Sequence, residues 1–125
     1  MVLLVVDAQN GIVDERLYEF RKFVGNIKKL IGAAREQGIE VIYVQHDEEK
    51  DVMICGIMTD FCINATVEAG FEHGLHMIVP AYANSTQDNE YMTREQAYHY
   101  YNEFLWPERY ADCVPMDRAL ELLKK

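Results

Sequence analysis

The chain has 125 residues, half of them apolar and 26% charged, the scale and composition of one folded domain rather than a disordered tail. Its 21 acidic residues against 12 basic ones give a formal charge of -9, which argues against nucleic-acid phosphate or an anionic membrane surface as a partner. No apolar run approaches the roughly 20 residues that span a bilayer, and the 3 cysteines lack zinc-type spacing, so unbridged thiols in a reducing, cytoplasmic compartment are expected.

Residues 1–6, MVLLVV, form an apolar run that meets Asp7 with no basic flank before it, and read as a buried strand rather than a signal peptide. Asp14 offers an N-cap to a helix in which Leu17, Phe20, Val24, Ile27, Ile31 and Ala34 recur at helical spacing and which Gly38 closes. IEVIYV at 39–44 is rich in β-branched residues and predicts a second strand, parallel to the first. DVMICGI at 51–57 predicts a third. Thr59 or Asp60 caps a helix running to about His73, and residues 75–80 make a fourth strand. Ser85 or Thr86 caps a helix from about Asp88 to Leu105. A short strand near Ala111–Val114 precedes a last helix from about Asp117, whose closing lysines suit the helix dipole. The alternation predicts a single α/β domain, a mainly parallel sheet with helices on both faces.

One interval breaks the alternation. Only QHDEEK, residues 45–50, separates the second strand from the third. A parallel crossover needs roughly a dozen residues, so an interval this short allows only a hairpin, with one strand antiparallel.

Asp7 stands at the carboxyl end of the first strand, the edge where open α/β sheets bind ligands. Its alternative role is a loop carboxylate capping the next turn. Cys62 stands in the first turn of the helix after the third strand, where backbone N–H groups and the positive dipole end lower a thiol pKa. Most unbridged cysteines are small buried hydrophobes, a reading that suits Cys55 and Cys113 better. His46 shares the edge with Asp7, whereas His73 and His76 belong to the opposite edge and His99 to a tyrosine-rich helix. The histidines make no metal set and no glycine-rich phosphate loop is present, so neither metal nor cofactor is expected. Gln9, His46, Tyr82 and Asn84 are the substrate-binding candidates near the functional edge. Tyr98, Tyr100, Tyr101, Phe104 and Trp106 read as a packing or subunit surface.

The strings VVDAQNG at 5–11 and GIMTDFCINAT at 56–66 resemble the isochorismatase-like cysteine hydrolases, a family that includes nicotinamidases and N-carbamoylsarcosine amidohydrolase-like enzymes. The resemblance implies a three-layer α/β/α, Rossmann-like fold. It implies Asp7 as general base, Cys62 as the nucleophile of a thioester mechanism, and the backbone N–H groups of Met58 and Cys62 as the oxyanion hole. It places a cis peptide at Ile57–Met58. The implied substrate is a small molecule carrying an amide or related C–N bond, and the implied assembly is a homo-oligomer, dimer or tetramer.

The family's triad lysine belongs between the second strand and the cysteine strand. Lys50 is the one lysine there; it directly precedes a strand, at the wrong edge, and receives no role. The family's metal-binding Asp-x-His is absent from the same interval. With the absent crossover helix, this predicts a segment missing between about residues 46 and 51, near Asp47–Glu48. The rival expectation is a non-catalytic isochorismatase-like protein that binds a small molecule or a partner subunit. A flavodoxin-like redox protein ranks last, since no CxxC is present.

Overall fold

In a computed structural model, which describes residues 1–6, 14–43 and 51–124, each pair of hydrogen-bonded strands runs parallel. β1 (Val2–Val6) lies between β2 (Glu40–Tyr43) and β3 (Asp51–Ile57), with Val2 opposite Glu40 on one side and Val52 on the other. β4 (His76–Pro80) and β6 (Asp112–Val114) continue the sheet beyond β3, giving the order β2-β1-β3-β4-β6. A two-residue strand, β5 (Asn84–Ser85), pairs with the far end of β3, Asn84 against Gly56 and Ser85 against Ile57.

Side chains alternate across this sheet with the period of two that pleating imposes. Leu3, Val5, Met53, Cys55, Ile57 and Ile78 pack on one face with Phe23, Ile27, Leu30 and Ala34 of α1 (Phe20–Glu36) and with Ala119 and Leu123 of α4 (Met116–Lys124). Val2, Leu4, Val6, Val52, Ile54, Met77 and Val79 pack on the other with Ile63, with Val67 of α2 (Asn64–Glu72), and with Trp106. Strands covered on both faces must be apolar throughout, which is why β1 and β3 read as unbroken apolar runs. The result is the expected three-layer α/β/α fold. Among the described residues no helix is long and apolar enough to cross a membrane.

Several boundaries differ from the sequence reading. α1 starts at Phe20, not after Asp14. The Asp14 carboxylate instead accepts from the Arg16 backbone N–H at 2.9 Å and from its guanidinium at 2.8 Å, closing a local turn. Glu19, in the left-handed region with φ 52°, takes the N-cap position without a side-chain cap bond. Gly38 does close α1, its φ of 69° being one that a side chain resists.

The third helix also starts later than predicted. α3 (Arg94–His99) opens on Thr93, whose hydroxyl accepts from Gln96 N–H while the Gln96 side chain accepts from Thr93 N–H. Ser85 and Thr86 cap nothing, because both are fully buried and their hydroxyls are spent on distant partners. α3 runs on as a π-type segment, Tyr100–Leu105. Its aromatic residues divide: Tyr98 and Trp106 belong to the core, leaving Tyr100 and Phe104 at the surface. Trp106 therefore cannot be part of a subunit surface.

β2 and β3 both run parallel to β1, on its two sides, so the short interval reverses neither strand and the hairpin expectation fails. The missing segment predicted near Asp47–Glu48 falls outside the described residues.

Candidate functional site

β1 and β3 bring their carboxyl ends together at the Val6–Gly56 pair. Gly56 holds φ at 129°, and a Cβ there would overlap the Val6 carbonyl oxygen. Glycine is what permits two backbones to approach so closely. Asp7 follows Val6 in sequence; Asp7, Gln9 and His46 lie outside the described residues.

Starting from the residue after Gly56 the chain makes a cis peptide, Ile57–Met58, at the position the resemblance named. The Met58 carbonyl then accepts from both Phe61 N–H and Ile63 N–H, each at 3.1 Å. The second bond is a wide i→i+5 closure, so Thr59–Ile63 winds as a π-type turn ahead of α2. Cys62 lies in this turn and is exposed, while its carbonyl accepts from the Thr66 hydroxyl at 2.8 Å.

The other cysteines are in different surroundings. Burial pushes the Cys55 thiol up to about 12, and burial, with the neighbouring Asp112 charge, pushes Cys113 up to about 12. Neither supplies thiolate near neutral pH.

Beneath the turn lies a run of three buried polar residues, Asn84, Ser85 and Thr86, with exposures of 2%, 0% and 0%. Asn84 was expected to meet substrate. Instead its Oδ1 accepts from the Thr59 hydroxyl at 2.6 Å and from Asn102 Nδ2 at 3.0 Å, and its Nδ2 donates to Asn102 Oδ1 at 2.8 Å. With both ends of the amide occupied and the side chain buried, it faces the interior. Ser85 Oγ donates to the Tyr18 carbonyl at 2.6 Å, and Thr86 Oγ1 donates to the Asp60 carboxylate at 2.6 Å.

Tyr82 follows β4 at the same sheet edge. Its ring stacks on Tyr98 at 5.0 Å between centroids, with Lys22 Nζ 3.9 Å from the ring centre. The Tyr98 hydroxyl accepts from Tyr82 N–H at 2.6 Å. Both rings line a cavity of about 230 Å³ with Asn102, Cys113 and Val114, and Cys62 is not in that lining.

Thr59, Thr86 and Asn102 were not singled out by sequence as site residues. Thr59 stands inside the motif string, and Thr86 imitates a helix cap. Asn102 is a polar residue four positions after Tyr98 on a core-facing stripe, the one local sign that it has a buried partner.

Among the described residues no cluster of His, Cys, Asp or Glu could hold a metal ion.

Solved structures with this fold include an isochorismatase from Pseudomonas putida KT2440, with TM-score 0.83 and 16% identity over 94% of this chain and 88% of that one. A cysteine hydrolase from Pseudomonas syringae pv. phaseolicola 1448A gives TM-score 0.84 and 14% identity over 98% and 92%. YcaC from Pseudomonas aeruginosa, solved with hexane-2,5-diol and covalent acrylamide, gives 0.65 and 16% over 95% and 77%. At these identities the likeness is one of fold. A search of curated proteins finds no match. The isochorismatase domain model matches the sequence in two segments, residues 1–52 and 47–106, which between them take in most of the chain. By that match the chain belongs to the isochorismatase family of hydrolases.

Proposed function

We propose that the protein hydrolyses a small amide or related C–N bond through a Cys62 thioester. The observation that carries the reading is the placement of Cys62: exposed, in the turn that opens α2, directly after the cis Ile57–Met58 peptide at the carboxyl edge of the sheet. Asp7, next after the β1 residue paired with Gly56, takes the thiol proton. The thiolate adds to the substrate carbonyl, and the backbone N–H groups of Met58 and Cys62 hold the oxyanion. The C–N bond then breaks, the amine leaves with the proton from Asp7, and water activated by Asp7 releases the acid and restores the thiol. A small-molecule substrate, no cofactor, and a site for neither nucleic acid nor membrane complete the reading.

The test is ammonia release from a panel of small amides, ureas and nicotinamide. Cys62→Ala should lower the rate by on the order of 10³-fold or more with the melting temperature unchanged. A variant that keeps its rate overturns the assignment.

One observation favours a second reading. Lys50 is the single lysine in residues 44–50, and it directly precedes β3 in sequence. A chain without a triad lysine suits a non-catalytic protein that binds a small molecule or a partner subunit. We propose instead that the natural polypeptide carries a further segment between about 46 and 51. Two facts support this: the family model matches in two pieces that meet at 47–52, and β2 and β3 lie parallel on opposite sides of β1 with only 44–50 between them. Intact mass of the protein from its native source decides. A mass greater than these 125 residues account for supports the hydrolase; the mass of 125 residues with inert amides supports the binding protein.

A further inference from the structure

We propose that the segment Asn84–Thr86 is a bracket that positions the Cys62 turn, with Asn84 and Thr86 as positioning residues that act through Thr59 and Asp60. The inference rests on the reading of Cys62 as nucleophile.

Consecutive residues of the turn are gripped by this one segment. Thr59 donates its hydroxyl to Asn84 at 2.6 Å, and Asp60 accepts from Thr86 at 2.6 Å, with Asn89 Nδ2 adding a longer bond to Asp60 at 3.3 Å. The backbone binds them too, since Gly56 N–H donates to the Ala83 carbonyl at 2.9 Å and β5 pairs with β3 at Gly56 and Ile57. The bracket is anchored behind. Asn84 exchanges two amide bonds with Asn102, which also donates to the Tyr98 carbonyl at 2.9 Å, and Ser85 reaches the Tyr18 carbonyl.

Burial makes this arrangement specific. Three successive polar side chains out of water are costly unless each finds a partner, and apolar residues would fill the space more cheaply. A buried network that is fully satisfied fixes one geometry rather than adding bulk stability. Two short bonds on residues three and two positions before Cys62 fix where its sulfur and its N–H point, which is what a nucleophile with an adjacent oxyanion hole requires.

Iodoacetamide alkylation of Cys62, followed by mass spectrometry against pH, reads this without a substrate. Thr59→Val keeps the shape and removes one tie, and Thr86→Val removes the other. Each should slow Cys62 alkylation at pH 7 by about tenfold and move the pH midpoint up by about one unit. Thr59→Ser, which keeps the hydroxyl, should restore the wild-type profile. Valine variants that change melting temperature alone, with wild-type rate and midpoint, overturn the bracket. So does loss of folding in both, which would make the ties merely structural. A wild-type Cys62 that alkylates no faster than an unfolded cysteine overturns the nucleophile reading as well, whereas a fast wild type with unchanged valine variants overturns the bracket alone.

Discussion

Gly56 and Gly70 both stand where a side chain would collide, but with different partners. A Cβ at Gly56 meets the Val6 backbone, which cannot withdraw without breaking the β1–β3 pairing. A Cβ at Gly70 meets the Met77 thioether, the movable end of a flexible side chain. Gly56→Ala should therefore cost about 2 kcal/mol or more, and Gly70→Ala clearly less, in denaturant titrations of the two variants. Equal losses would mean that β1 and β3 separate more easily than their register implies. The thiols divide in the same way. Burial holds Cys55 and Cys113 near 12, so a brief maleimide pulse at neutral pH should label Cys62 and leave both others until the chain unfolds. The cysteine and its motif were readable because their signal is local: a strand end and a helix start fall within a few residues, and the cis peptide between them came from the family resemblance. The roles of Asn84 and Thr86 were not, because their partners lie 25 and 26 residues away and burial reverses what a Ser–Thr pair before a helix ordinarily means.

Among the elements, the amino ends of β3, β4 and β6 are joined by one imidazole. His76 Nδ1 lies 3.1 Å from an Asp51 oxygen and Nε2 2.6 Å from an Asp112 oxygen. The hydrogen bond to Asp112, with that to Asp51, raises the His76 pKa above its ordinary 6.5. A raised value in the folded state means the stabilisation is fully present below 6.5 and is lost as pH rises through the folded value. The side chain is half exposed, so water screens the effect and it stays small. The stability difference between wild type and His76→Ala should be largest near pH 5.5 and shrink by about pH 8.5 in paired thermal melts. A difference that is flat across that range, or that grows with pH, would remove the imidazolium from the account. The helices show why element boundaries are harder to read than elements. Periodic apolar residues located α1, yet its start depended on whether Asp14 capped a helix or closed a turn onto Arg16, and that choice lies in side-chain geometry. Likewise the true cap of α3, Thr93 with Gln96, was a complete capping box in sequence, masked by two earlier hydroxyls.

For the whole molecule, alternation of strands and helices predicted the three layers, since each strand had to be covered on both faces. The strand order was not legible, because which strand neighbours which depends on crossovers between distant parts of the chain. Phe61, Phe71, Tyr100 and Phe104 remain 62%, 48%, 40% and 54% exposed, large apolar groups that a second subunit would cover. We expect a homo-oligomer, dimer or tetramer, in sedimentation at micromolar concentration. A monomer under those conditions would refute it, and Phe104→Glu should shift the assembly toward smaller species if that face is used.

Trp106 is the only tryptophan in the sequence, is fully buried, and donates its indole N–H to Asn64 Oδ1 at 3.0 Å. Asn64 is the first residue of α2 and stands two positions after Cys62. The protein thus carries its own fluorophore, wedged between the helix that follows the thiol and the aromatic segment behind it. Its emission reports, without any label, whether that helix start is seated: a blue-shifted band while the indole is dry and bonded, and a red shift once the helix start lifts and water reaches the ring.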